Sequence, residues 1–387
     1  MRPFTISVPE ETLVDLRDRL ARTRWPDEVD GASWDYGTSR AYLRELVEYW
    51  RTEFDWRKQE RLLNELPQFI AKIDGLEVHF VHARGAGPDP LPLVITHGWP
   101  SSFVEMYRIT GPLTDPVRHG GDAGDAFDVV IPSLPGFGFS GRPTERGPTH
   151  ADRLWRKLMT DVLGYRRFVA HGGDVGARVT SALGRFHGGS VSAIHIGSVD
   201  LDWPDPLPHD GDLSEAERVY LKRVKRWERD EGAYADIQAT RPQTLAYGLN
   251  DSPSGLAGWI VEKFRAWSDC GGNIESRFTK DELLSNIMIY WLTQTIGSSM
   301  RRYFEVRHNP MPNPLKLGER IETPTGIAMF PGEKDLLVPR EWAERCYNIK
   351  RWTDMPRGGH FPALEEPELL VDDLRAFFRG FRRGSAG

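Results

Sequence analysis

Apolar positions recur at two different spacings along the chain, and the change of spacing divides it into regions. In PEETLVDLRDRLARTRW, Leu13, Leu16 and Leu20 fall three and four apart behind an acidic first turn, which predicts an amphipathic helix. SRAYLRELVEYWRTEFDW repeats that pattern, so roughly the first 70 residues are expected to be helical. The period then shortens to two. FIAKIDGLEVHFVHARG alternates on either side of Asp74-Gly75, the signature of a β-hairpin closed by a tight turn.

Beyond the hairpin, short apolar runs of the buried-strand kind take over: LPLVITHG, FDVVIPS, YRRFVAHG and VSAIHIG. They alternate with helical stretches, which predicts an α/β fold with a mostly parallel sheet and helices on both faces. From about Pro204 to Val306 the strand pattern disappears. SEAERVYLKRVKRWERDEG, GLAGWIVEKFRAW and KDELLSNIMIYWLTQTIGSSMRRYF read as helices rich in Trp and Tyr. Strands return at TGIAMFPGE and IKRWTDM, with helices at REWAERCY and ELLVDDLRAFFRGF. A helical insert ahead of the last two strands is expected to lie as a lid over the strand ends.

Composition narrows the class. The 387 residues, 39% hydrophobic and 11% aromatic, can bury a large core and are unlike a disordered chain. A net charge of -6, with both signs interspersed, argues against a general nucleic-acid binder. Only two cysteines occur, Cys270 and Cys346, so no disulfide framework is expected and a reducing compartment fits better. The N-terminus has no secretory h-region, and no run reaches the roughly 18 apolar residues of a spanning helix. A cytoplasmic protein with no membrane partner is the expectation.

The chemistry is concentrated in VAHGGDVGARV, Val169–Val179. A strand-like run ends in Gly172-Gly173-Asp174-Val175-Gly176, and a helix follows at once. Small residues two before and two after the central one mark the strained strand-to-helix turn that normally presents a nucleophilic serine. Here it presents Asp174. An ordinary helix-capping aspartate would explain the residue type, but not the flanking glycines. A carboxylate nucleophile suits displacement at a strained or activated sp³ carbon, leaving an ester on the enzyme. Epoxides and alkyl halides are the obvious electrophiles.

Such an ester must be hydrolysed by a base-activated water. His360, in the glycine-flanked RGGHFPALEEP, stands in the right chain order for that base. An acid to orient it could come from Glu333 or Asp335 in MFPGEKDLLVP, with Asp200 a distant third. The early THGWPSS offers an oxyanion hole, formed by the backbone N–H groups of Trp99 and Val175. No metal or cofactor is required.

With HGWPSS, GGDVG, NDSPSGLAGWIVEKF, MIYWLTQTIGSS and RGGHFPALEEPELL together, the chain resembles the microsomal-type epoxide hydrolases over nearly its whole length. The resemblance implies the α/β-hydrolase fold. It implies an N-terminal region over 1–90 wrapping a core of 91–203 and 307–387, with the lid at 204–306. It also implies two lid tyrosines that protonate the leaving oxygen. GAYADIQATRP matches the first at Tyr234, and GSSMRRYFE the second at Tyr303. The family's strand-end pattern favours Glu333 as the acid, whereas a related soluble pattern, EKD, would favour Asp335; Glu333 is preferred. Three features depart from the family, one being the spacing from the acid to Pro339, which is off by one residue. Val175 stands where Trp often follows the nucleophile, and the membrane anchor of the mammalian members is not expected here.

The implied reaction is hydrolysis of a small-molecule epoxide, bulky or aromatic to judge from the lid, to a vicinal diol. The aromatic lid would also suit a homodimer. Two other readings stand beside it. A haloalkane dehalogenase shares the Asp and His but needs a halide cradle, to which Val175 removes one usual contributor. A non-catalytic ligand-binding protein would be expected to have lost its nucleophile or base.

Overall fold

Residues 1–197, 208–309 and 315–382 are described in a computed structural model of the chain. Nine strands form one sheet: β1 (Arg2–Phe4), β2 (Gln68–Ile73), β3 (Leu76–Ala83), β4 (Leu91–Thr96), β5 (Phe127–Pro132), β6 (Phe168–Gly172), β7 (Val191–Gly197), β8 (Ile321–Met329) and β9 (Tyr347–Asp354). Their order is β1-β2-β3-β5-β4-β6-β7-β8-β9. From β5 to β9 all neighbours run parallel, while β1, β2, β3 and β5 pair antiparallel. Every residue of β5 and of β6 is buried, as expected of parallel strands covered on both faces. This is the α/β-hydrolase fold.

The hairpin lies where its alternation predicts. Ile73 pairs with Leu76, and Asp74 and Gly75 both carry positive φ, at 50° and 86°, which matches the right-handed twist of the flanking strands. β1 is an addition. Its three residues carry no periodic signal and become a strand only by pairing with β2 at the sheet edge.

The N-terminal helices bury the faces their patterns mark: Leu13, Leu16 and Leu20 on Glu10–Ala21, and Leu46, Val47 and Trp50 on Arg40–Thr52. Their polar edges reach the helical insert. Tyr49 Oη and Gln59 Nε2 both donate to the Asp281 carboxylate, at 2.9 and 3.0 Å, and Thr38 Oγ1 donates to the Gly258 carbonyl at 2.7 Å. Thus the N-terminal segment both extends the sheet and grips the insert.

The insert contains more helices than its pattern suggested. Ala233–Thr240 and Pro242–Asp251 lie between the first two stretches. The last stretch is two helices, Lys280–Thr293 and Ile296–His308, parted at Gln294, which adopts the left-handed conformation at φ 53°, ψ 40°. Neither Gly nor Pro marks that break. Among the described residues no helix is long and apolar enough to cross a membrane.

Candidate active site

The strand-to-helix turn after β6 is as sharp as its glycines require. Asp174 sits at φ 52°, ψ -126°, and the helix Val175–Phe186 starts at the next residue. A Cβ on Gly172 would strike the Gly176 carbonyl, and one on Gly176 would strike the Thr96 carbonyl of β4. Only glycines let the turn pack this closely. The result projects the Asp174 carboxylate from the N-terminal end of a helix.

Each oxygen of that carboxylate faces a different partner. The Trp99 backbone N–H donates to Asp174 Oδ1 at 2.8 Å. Asp174 Oδ2 lies 3.7 Å from His360 Nε2. Val175 is buried as the first residue of its helix, and so has no carbonyl one turn back for its N–H to serve.

His360 Nδ1 meets Glu333 Oε1 at 2.6 Å. Of the two nearby carboxyls, only Glu333 is directed at the histidine. Asp335 is half-exposed and forms an ion pair with Arg226, and Asp200 lies outside the described residues. Burial opposes charge on the His360 ring. The carboxylate of Glu333, followed by those of Asp174 and Glu105, outweighs it and pushes the imidazole up to about 9.

The loop carrying His360 is fastened at three points. Gly358 N–H donates to Asp269 Oδ2 at 3.0 Å, His360 N–H to the Trp267 carbonyl at 2.9 Å, and Phe361 N–H to Glu365 Oε1 at 2.9 Å. The Trp267 ring also leans on the histidine, with centroids 4.9 Å apart. These anchors belong to the end of the insert helix Pro253–Trp267 and the short helix after the loop.

Tyr234 and Tyr303 come from separate insert helices and converge on Trp99. Tyr234 stacks on its indole at 5.2 Å with planes 8° apart, and Tyr303 meets it edge-on at 5.9 Å. The two phenol rings are 6.1 Å apart. All the residues singled out from sequence and described here, Asp335 excepted, therefore gather at one place.

Two acidic groups were missed. Glu105 lines the small cavity beside Asp174 and His360 and is bonded by the Ser101 hydroxyl; burial pushes its carboxyl up to about 7. Glu365, which accepts the Phe361 and Asp269 N–H groups, is likewise raised by burial to about 7. Glu105 follows HGWPSS by three residues, and Glu365 lies inside FPALEEP. Nothing in residue type or spacing separates either from a solvated carboxylate.

Comparison with known proteins adds the family. A model described as the epoxide hydrolase N terminus matches residues 1–106, and one described as the alpha/beta hydrolase family matches residues 93–373. Epoxide hydrolase 1 of Oryctolagus cuniculus is 37% identical over 414 residues, covering 97% of this chain and 88% of its own. The chain belongs to the epoxide hydrolases. This epoxide hydrolase is also 44% identical to a protein of Stigmatella aurantiaca over 383 residues, covering 98% of this chain and 85% of that one. Among solved structures, the Aspergillus niger epoxide hydrolase superposes with a TM-score of 0.84 at 33% identity, covering 98% of this chain and 96% of that chain. The likeness thus runs through the N-terminal segment, the core and the insert.

Proposed function

We propose that the chain hydrolyses an epoxide to a vicinal diol through an ester on Asp174. The observation that carries this reading is the separate engagement of the two carboxylate oxygens. Oδ1 is held by the Trp99 N–H at 2.8 Å, and Oδ2 lies on the His360 side. Oδ2 attacks a ring carbon, the C–O bond of the epoxide breaks, and Tyr234 and Tyr303 supply a proton to the oxygen that leaves. A donor that protonates an alkoxide as it forms contributes roughly 10²–10⁴ in rate.

His360 holds its proton in the free protein, since the carboxylates around it push it up to about 9. Ester formation removes the charge of Asp174, one of the groups sustaining that proton; His360 then releases it to solvent, and the neutral imidazole can accept another. Neutral His360, oriented by Glu333, then takes a proton from water as the water oxygen attacks the ester carbonyl carbon. Charge developing on Oδ1 falls on the Trp99 and Val175 N–H groups, where each donor is worth roughly 3–4 kcal/mol. Collapse expels the diol oxygen, which takes the water proton back from His360, and the new carboxyl group passes its own proton to the imidazole, restoring the Asp174 carboxylate and the protonated His360.

In this reading the segment 204–306 is a lid that supplies the acid tyrosines, and residues 1–90 hold it to the core. Trp99, Trp267, Tyr234 and Tyr303 form a continuous aromatic wall, which supports a bulky or aromatic epoxide as substrate. A single turnover in ¹⁸O-labelled water tests the covalent route. Label is expected in the peptide containing Asp174; label found only in the diol would overturn it.

A further inference from the structure

A lysine that none of the preceding chemistry uses faces the same aromatic wall. Lys263, on the helix Pro253–Trp267, is only 6% exposed. Its Nζ lies 4.9 Å from the centroid of the Tyr234 ring and 5.6 Å from that of Trp267. On its other side it meets Glu262 at 2.6 Å and Glu231 at 3.8 Å. Tyr234 therefore contacts the ammonium as well as the Trp99 indole on which it stacks, and the backbone of that same Trp99 holds Asp174.

A buried ammonium carries a desolvation penalty, and lysine is almost never buried unless paired. Glu262 could pair with it equally well at the surface. What the interior adds is the aromatic faces, which attract a cation through the ring quadrupole. That attraction grows when the ring becomes a phenolate, because an opposite charge nearby favours the ionised form.

We propose that Lys263 is a positioning residue for ring opening, which holds Tyr234 against Trp99 and stabilises the phenolate left when Tyr234 gives up its proton. The proposal rests on the reading of Tyr234 as an acid. In that step the Tyr234 O–H bond breaks and an O–H bond forms on the epoxide oxygen. The ring C–O bond breaks as Asp174 Oδ2 bonds to carbon, and the phenolate regains a proton from water after ring opening. Among the described residues, the titratable groups around Tyr234 are Lys263, Tyr303 at 6.1 Å, Glu231 and Glu262 beyond the lysine, and Asp174 and His360 beyond Trp99 and Trp267. Of these, Lys263 is the cation in contact with the Tyr234 ring.

The test is pre-steady-state ring opening in Lys263→Met, Lys263→Arg, Tyr234→Phe and the double variant Lys263→Met/Tyr234→Phe. Lys263→Met is expected to slow ester formation by about tenfold, the scale of one buried cation–π contact. It should leave ester hydrolysis unchanged and move the alkaline limb of kcat/KM to higher pH. Lys263→Arg should recover most of the rate. In the Tyr234→Phe background the lysine substitution should have no further effect, which a general packing defect would not reproduce. Wild-type ring opening in Lys263→Met, or an equal loss in both backgrounds, overturns the proposal while leaving Tyr234 in its role. Undiminished ring opening in Tyr234→Phe removes that role and the proposal with it.

Discussion

Glu333 Oε1 and His360 Nδ1 are joined by a 2.6 Å hydrogen bond, while Asp335, two residues further on, is drawn off to Arg226. If Glu333 orients the base, Glu333→Gln should slow ester hydrolysis by roughly 10²-fold and Asp335→Asn should change it by less than about twofold. Single-turnover rates of the two variants decide between them. The reverse order would transfer the orienting role to Asp335.

His360 acts, in the proposed cycle, only after the ester exists. His360→Gln should therefore consume about one equivalent of epoxide per active site and then stall, with the substrate's mass retained on the Asp174 peptide. Prompt release of diol by that variant would show that another group activates the water.

Stability should depend on pH from both sides. His79, His97 and His171 are buried and pushed down, mainly by burial, to about 3, 4 and 3. Their unfolded values lie near 6.5, so their contribution is complete above about pH 6.5 and is lost as pH falls towards the folded values. His360 has the opposite sign. Its folded value of about 9 gives a contribution complete below about pH 6.5 and lost as pH rises through 9. Urea midpoints should fall between pH 7.5 and 5. Between pH 7.5 and 10 the wild type should lose more than His360→Gln, and equal losses there would refute the assignment for His360.

How much of this is legible in the sequence depends on whether the cause is local. The Asp74-Gly75 turn, the buried runs of β5 and β6 and the glycine-flanked turn at Asp174 are dictated within a few residues, and the fold places them as read. β1 has three residues and exists only because β2 offers it an edge. The break at Gln294 carries no helix-breaking residue, so tertiary packing alone specifies it. The choice between Glu333 and Asp335 turns on which carboxyl reaches across from β8 to the His360 loop. Tyr234 and Tyr303 stand out only through family resemblance, since a tyrosine in an aromatic-rich helix ordinarily signals packing. Lys263, in WIVEKFRAW, has the appearance of a solvent-facing lysine; the rings it meets are Trp267 of its own helix and Tyr234, which only the tertiary fold brings there.

The three bonds that fasten the His360 loop also bear on how molecules enter and leave. Trp267 and Asp269 lie at the end of an insert helix, yet they hold the backbone of the loop that carries His360. Swinging the insert away as one flap would have to break both bonds, because the Gly332 N–H, which donates to the Gly358 carbonyl at 2.8 Å, keeps the same loop tied to the core beside Glu333. A route that leaves those bonds intact is a corridor opened by rotation of individual side chains. Its bore, rather than any opening stroke, would set the upper limit on substrate size.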